Sequence, residues 1–146
     1  MGVFKAMNVS ATGMTAQQLR MDIIAENIAN SQTTRTENGG AYRRKIPVFY
    51  EKDTTSFDHI LNGYLTNYEP NGVKVTQIVE DPSDFRLVYE PDNPDANENG
   101  YVEYPNIDTV TEMTNLIDSS RAYEASATAF QAAKSMAQTG LELFNS

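Results

Sequence analysis

The sequence contains no cysteine, no tryptophan and a single histidine, His59. The missing thiols exclude disulfides, thiol nucleophiles and cysteine-ligated zinc or iron–sulfur centres. One imidazole leaves little for a histidine-based metal site. All six prolines lie between positions 47 and 105, so both ends of the chain are free of helix breakers. Glycine is as sparse there: residues 3–32 hold only Gly13, and residues 106–146 only Gly140. Positive charge is also short, with 11 basic against 20 acidic residues and a formal net charge of −9. That balance argues against nucleic acid or anionic lipid as a partner, since both need a basic surface. No apolar run approaches the ~20 residues of a membrane helix, so no membrane insertion is expected. A signal-peptide pattern is missing too, which predicts a chain that stays in the cytoplasm or leaves without a cleaved signal.

What is present falls into three segments. Residues 1–50 carry six bases and three acids, net +3; residues 51–104 carry three and twelve, net −9; residues 105–146 carry two and five, net −3. In the first segment Met7, Ala11, Met14, Gln18, Met21, Ala25 and Ile28 recur in steps of four and three. This is a heptad seam, widened by Leu19, Ile23 and Ile24, and it predicts a helix ending near Asn30. In the last segment Met113, Leu116, Ser120, Tyr123, Ala127, Phe130, Lys134, Ala137, Leu141 and Phe144 repeat the pattern without a break. A second row of Ile117, Ala125, Ala129, Ala132 and Met136 broadens it. Thr109 with Glu112 forms a potential capping box, and Asp108 is the competing N-cap.

Between the helices lie Asn-Gly turns at Asn62-Gly63, Asn71-Gly72 and Asn99-Gly100. They separate β-prone runs at 46–50, 73–79, 85–90 and 101–104. In the third run Phe85, Leu87 and Tyr89 alternate with Arg86, Val88 and Glu90, which predicts that Leu87 and Tyr89 face inward. The fold class expected is α+β: long terminal helices forming a coiled-coil-like pair around a small antiparallel β-rich centre. The segments are 1–33 (helix), 34–104 (β-rich with loops) and 105–146 (helix). Helices this long exceed what so small a β element can cover, so their remaining apolar faces are expected to pack against other subunits.

Signals for other chemistry are thin. Asp95-Ala96-Asn97-Glu98-Asn99-Gly100 matches the first half of a calcium loop, but the twelfth position is Asn106 instead of a bidentate Glu. Ser56, Asp58 and His59 are neighbours in sequence, whereas a catalytic triad is a spatial arrangement. The run Arg43-Arg44-Lys45 reads best as a subunit contact with an acidic neighbour. No phosphate loop or dinucleotide fingerprint occurs, so neither a cofactor nor a small-molecule substrate is expected.

Ala25-Glu26-Asn27-Ile28-Ala29-Asn30 with Thr33-Thr34-Arg35-Thr36 resembles the N-terminal signature of the flagellar axial proteins, the rod and hook family. Met113–Ile117, Arg121-Ala122-Tyr123-Glu124-Ala125 and Ala129–Lys134 resemble their C-terminal signature. Tyr42–Lys45, Gly72–Val75 and Gly100–Asn106 are similar to the short proximal-rod subunits of that family. Ser126 and Glu37 depart from its usual asparagine and proline. The resemblance implies a non-enzymatic subunit located in the basal-body rod, outside the cytoplasmic membrane. It implies export through the flagellar type III apparatus and assembly with itself, other rod proteins and basal-body components. Both terminal helices would form an inner layer and the β-rich middle an outer one. Met14, Met21, Ile24, Ile28, Met113, Leu116, Ile117, Tyr123, Phe130, Leu141 and Phe144 are then the candidate packing contacts. Asn27 and Asn30 are candidates for polar register, and Arg121 and Lys134 complete the interface. The same residues would otherwise suit a cytoplasmic helical-hairpin adaptor or chaperone, or an acidic calcium-binding domain.

Overall fold

The computed structural model describes residues 2–37, 39–52 and 71–145, with the side chains of residues 144 and 145 outside that description. His59 and the Asn62-Gly63 turn lie outside the described residues, as does most of the expected 51–70 loop. The elements are α1 (Val3–Ala29), β1 (Lys45–Glu51), β2 (Val73–Glu80), β3 (Arg86–Tyr89), β4 (Tyr101–Tyr104) and α2 (Thr109–Asn145). The fold class is α+β, with two long terminal helices and a small antiparallel centre.

Helix α1 has 27 residues and α2 has 37, about 40 and 55 Å at 1.5 Å per residue. Asn30 closes α1: its backbone N–H and its side-chain amide both donate to the Glu26 carbonyl, at 3.0 Å each. Asp108 opens α2. Its carboxylate accepts from the Val110 N–H at 3.1 Å and the Thr111 hydroxyl at 2.7 Å. These bonds hold the Asp108 carboxyl below its ordinary pKa, the Thr111 bond contributing most. The Thr109–Glu112 capping box does not form, because Glu112 turns into the interior and Asp108 satisfies the helix start.

Strand β1 pairs with β2, and β3 with β4. At the two ends of the first pair, Asp81 N–H donates to the Arg44 carbonyl and Lys52 N–H to the Gly72 carbonyl. The second pair is antiparallel, with Leu87 opposite Glu103, Val88 opposite Val102 and Tyr89 opposite Tyr101. Its orientation reverses the sequence expectation. Val102 is 1% exposed, while Leu87 and Tyr89 are 59% and 64% exposed. The alternation is real, but Val88 and Val102 face inward.

The chain forms two compact units, each drawing on all three sequence segments. One comprises Met1–Gln18, Phe49–Thr76 and Ser120–Ser146; the other comprises Leu19–Val48 and Gln77–Ser119. In the first, the enclosed apolar side chains among the described residues are Ala16 and Ala133. Gly13 faces Ser126 so closely that a Cβ there would lie 3.2 Å from Oγ. Gly72, at φ +91°, leaves room for the Thr12 hydroxyl, which accepts from the Val73 N–H at 3.2 Å. In the second, Ile23, Ile24, Tyr42, Val102 and Ile107 form an apolar core around enclosed Asn27, Glu112 and Ser119.

Candidate assembly interface

The second unit is organised by a buried polar network. Asn27, 1% exposed, clamps the start of β1: its amide donates to the Lys45 carbonyl and its carbonyl accepts from the Lys45 N–H, both at 2.9 Å. The same side chain accepts from the Tyr42 hydroxyl and donates to Glu112, each at 3.2 Å. Glu112, also 1% exposed, receives Nε and Nη2 of Arg44 at 2.9 and 2.7 Å. Arg44 reaches Asp81 at 3.3 Å, and its backbone N–H donates to Asn106 at 3.0 Å. A buried carboxylate is costly unless paired and hydrogen-bonded, and here Arg44 and Asn27 supply both.

The electrostatics follow. Burial lowers the Arg44 pKa, but the bonds to Glu112 and then Asp81 outweigh it and hold the guanidinium above its ordinary value. Asp81 is held below its ordinary value, first by the Ser83 hydroxyl and backbone N–H and then by Arg44. Burial, followed by the nearby Glu26 carboxylate, pushes the Tyr42 phenol up to about 12.

This network corrects the reading of Arg43-Arg44-Lys45 as a contact with an acidic neighbour. Arg43 donates to the Asp81 and Ser83 carbonyls at 2.9 Å and lies 4.2 Å from the centre of the Phe85 ring. Lys45 pairs with Glu26 at 2.6 Å. The acidic complement is therefore within the chain. The 95–100 loop is likewise internally satisfied. Asp95 accepts from the Thr34 hydroxyl at 2.8 Å and pairs with Arg35 at 3.6 Å. Asn97 Oδ1 accepts from the Asn99 and Tyr101 N–H groups. No group of three or more acidic or histidine side chains gathers among the described residues.

The candidate interface residues fall into distinct environments. Ile24 and Asn27 are enclosed within the chain, at 4% and 1% exposure. Met14, Met21, Ile28, Asn30, Leu116, Tyr123 and Phe130 are half-buried. Met113, Ile117, Arg121, Lys134 and Leu141 are exposed, and the Phe144 side chain lies outside the described residues. On α2 the inward row is Glu112, Leu116, Ser119, Tyr123, Ser126, Phe130, Ala133 and Ala137, in steps of four and three. It shares Leu116, Tyr123, Phe130 and Ala137 with the expected seam. Glu112 and Ala133 take the inward rungs in place of Met113 and Lys134. Sequence reasoning gave Glu112 to a capping box with Thr109 and so missed its place on the inward face. Its heptad phase with Leu116 and Ser119 was the available signal.

Rotating the inward row leaves an apolar outward face. Val110, Met113 and Ile117 are 72%, 52% and 55% exposed, and Met136, Leu141 and Leu143 also face out. In the first unit, Val9, Ser10, Gly13, Gly72, Val73, Ala125, Ser126 and Ala129 line an open groove of about 490 Å³. None of these side chains is titratable.

Comparison with known proteins places this architecture. Residues 7–35 match the family model described as flagella basal body rod protein. Residues 98–143 match the model described as flagellar basal body rod FlgEFG protein C-terminal. The flagellar basal-body rod protein FlgC of Bacillus subtilis (strain 168) is 47% identical over 98% of this chain and 99% of its own length. The chain belongs to the FlgC family of flagellar basal-body rod proteins. The FlgC protein of Borreliella burgdorferi is 42% identical over 98% of each chain, and that of Aquifex aeolicus is 37% identical over 97% of each. The two matched segments of this FlgC-family chain cover most of α1 and nearly all of α2, the elements that meet in both compact units.

Proposed function

We propose that the chain is a structural subunit of the proximal rod of the bacterial flagellar basal body, the shaft that carries torque toward the hook and filament. The observation that supports it is the near-full-length likeness to FlgC proteins. In this reading α1 and α2 form the inner layer, residues 34–104 the outer layer, and neighbouring subunits cover the exposed apolar positions of α2. Met113, Ile117, Arg121, Lys134 and Leu141 touch those neighbours directly, whereas Ile24 and Asn27 act by holding the subunit's own shape. The chain crosses the cytoplasmic membrane through the flagellar type III export apparatus, and its role is mechanical, with no reaction of its own. Stiffness in such a shaft comes from close-packed interfaces between long elements.

Deleting the gene tests this. The expected strain is non-motile and bears neither hooks nor filaments by electron microscopy, and the gene restored in trans corrects both. A deletion strain with normal flagella overturns the proposal.

A further inference from the structure

The β3–β4 hairpin presents an apolar face to solvent. Its register places Leu87, Tyr89, Tyr101 and Glu103 together on the side opposite Val88 and Val102. Leu87, Tyr89 and Tyr101 are 59%, 64% and 42% exposed. The two tyrosine rings meet edge to face, with centroids 5.3 Å apart and planes at 63°. This face is preorganised, because each ring already limits the other's rotamers. The start of α2 carries a different apolar surface, the ridge of Val110, Met113 and Ile117. Arg121 follows one turn later on the same helix.

We propose that these two surfaces are the halves of one contact between copies of this chain: the hairpin face of one copy receives the α2 ridge of the next. Two features select a second copy and this pairing. Equivalent side chains two apart on a strand are ~6.6 Å apart, and those one turn apart on a helix are ~5.4 Å apart. The Tyr89–Tyr101 row can therefore meet Met113 while the Leu87–Glu103 row meets Ile117. Glu103 and Arg121 are exposed, and neither side chain makes an ion pair or hydrogen bond among the described residues. The proposed register brings these opposite charges together.

Because the halves differ, the contact is head-to-tail and leaves a free half at each end, as an open helical array requires. The inference rests on the rod-subunit reading for that array, and it adds the hairpin as a joint apart from the helix pairing.

The absence of cysteine makes cross-linking specific. Leu87→Cys and Ile117→Cys are prepared as separate full-length proteins, and urea unfolding checks that each keeps the parent stability. They are concentrated separately and mixed, then oxidised and run on a non-reducing gel. The expected result is a covalent dimer in the mixture and none in either protein alone. Adding Glu103→Arg to the Leu87→Cys protein should lower the yield about tenfold. Adding Arg121→Glu to its partner should restore it. Cross-linking of Leu87→Cys with itself overturns the proposal in favour of a face-to-face dimer. No cross-link in any arm overturns it in favour of a different protein on the hairpin. Either failure leaves the deletion phenotype, and the rod reading with it, standing.

Discussion

The two compact units solve the problem of joining α1 to α2 differently. In the Leu19–Val48 and Gln77–Ser119 unit, the enclosed side chains include an acid, an amide and a hydroxyl: Glu112, Asn27 and Ser119. Each has a defined partner, so the register between segments is fixed by hydrogen-bond geometry. In the other unit the described enclosed side chains are Ala16 and Ala133, and Gly13 lies against Ser126. Register there is set by steric fit between small residues. A polar network fails sharply when one member is lost, whereas a small-residue contact fails when something is added. The two units should therefore respond oppositely to truncation and enlargement.

Truncation should have its largest effect in the polar unit. Glu112→Ala leaves Arg44 with Asp81 alone and should cost about 3 kcal/mol in urea unfolding, the low end for such a loss because Arg44 keeps that partner and 24% of its side-chain surface exposed. A loss below 1 kcal/mol would erase the contrast. Enlargement should tell most in the other unit: Gly13→Leu should cost about 1–3 kcal/mol by forcing Ser126 away. Asp108→Ala removes the α2 N-cap and should lower the urea midpoint by less than either of those changes.

The polar unit should also carry the pH dependence. Tyr42 binds its proton more tightly when folded, with a pKa of about 12 against an ordinary 10.0. Its contribution is present below pH 10 and is lost as pH rises toward 12. Asp81 behaves conversely. Its folded pKa lies below the ordinary 3.8, so its contribution is present above that value and lost as pH falls through the folded one. Tyr42→Phe should flatten the alkaline limb of a stability–pH curve and leave the acid limb unchanged. The smallest effect is expected from Met113→Ala, within about 0.5 kcal/mol in the isolated chain because the side chain is exposed.

The helices and all four strands were legible in the sequence, because heptad spacing, turn dipeptides and the prolines' confinement to the middle agree with one another. The facing of those elements was less legible. Leu87 and Tyr89 have the hydrophobicity of inward residues, yet the smaller Val88 and Val102 are the pair turned inward. Met113 suffered the same fate beside Glu112. Hydrophobicity ranks residues by their preference for burial, but it does not know that Arg44 waits inside for a carboxylate. Such a pair joins positions 68 apart in sequence, and no local pattern reports it. The charge of the Arg43–Lys45 run points outward in the sequence, whereas its partners lie on other elements of the same chain.

The length of those separations has a consequence in time. Asn27 meets Glu112 across 85 positions, and Arg44 cannot be neutralised at that end until the same residue arrives. A chain emerging N-terminus first, from a ribosome or from a narrow channel, has exposed three-quarters of its length before its central lock can close. Late closure of this kind slows folding, since distant ends must find each other before any contact rewards the search. Closing that lock thus waits on one glutamate near the start of α2, however early the other members of the network are made.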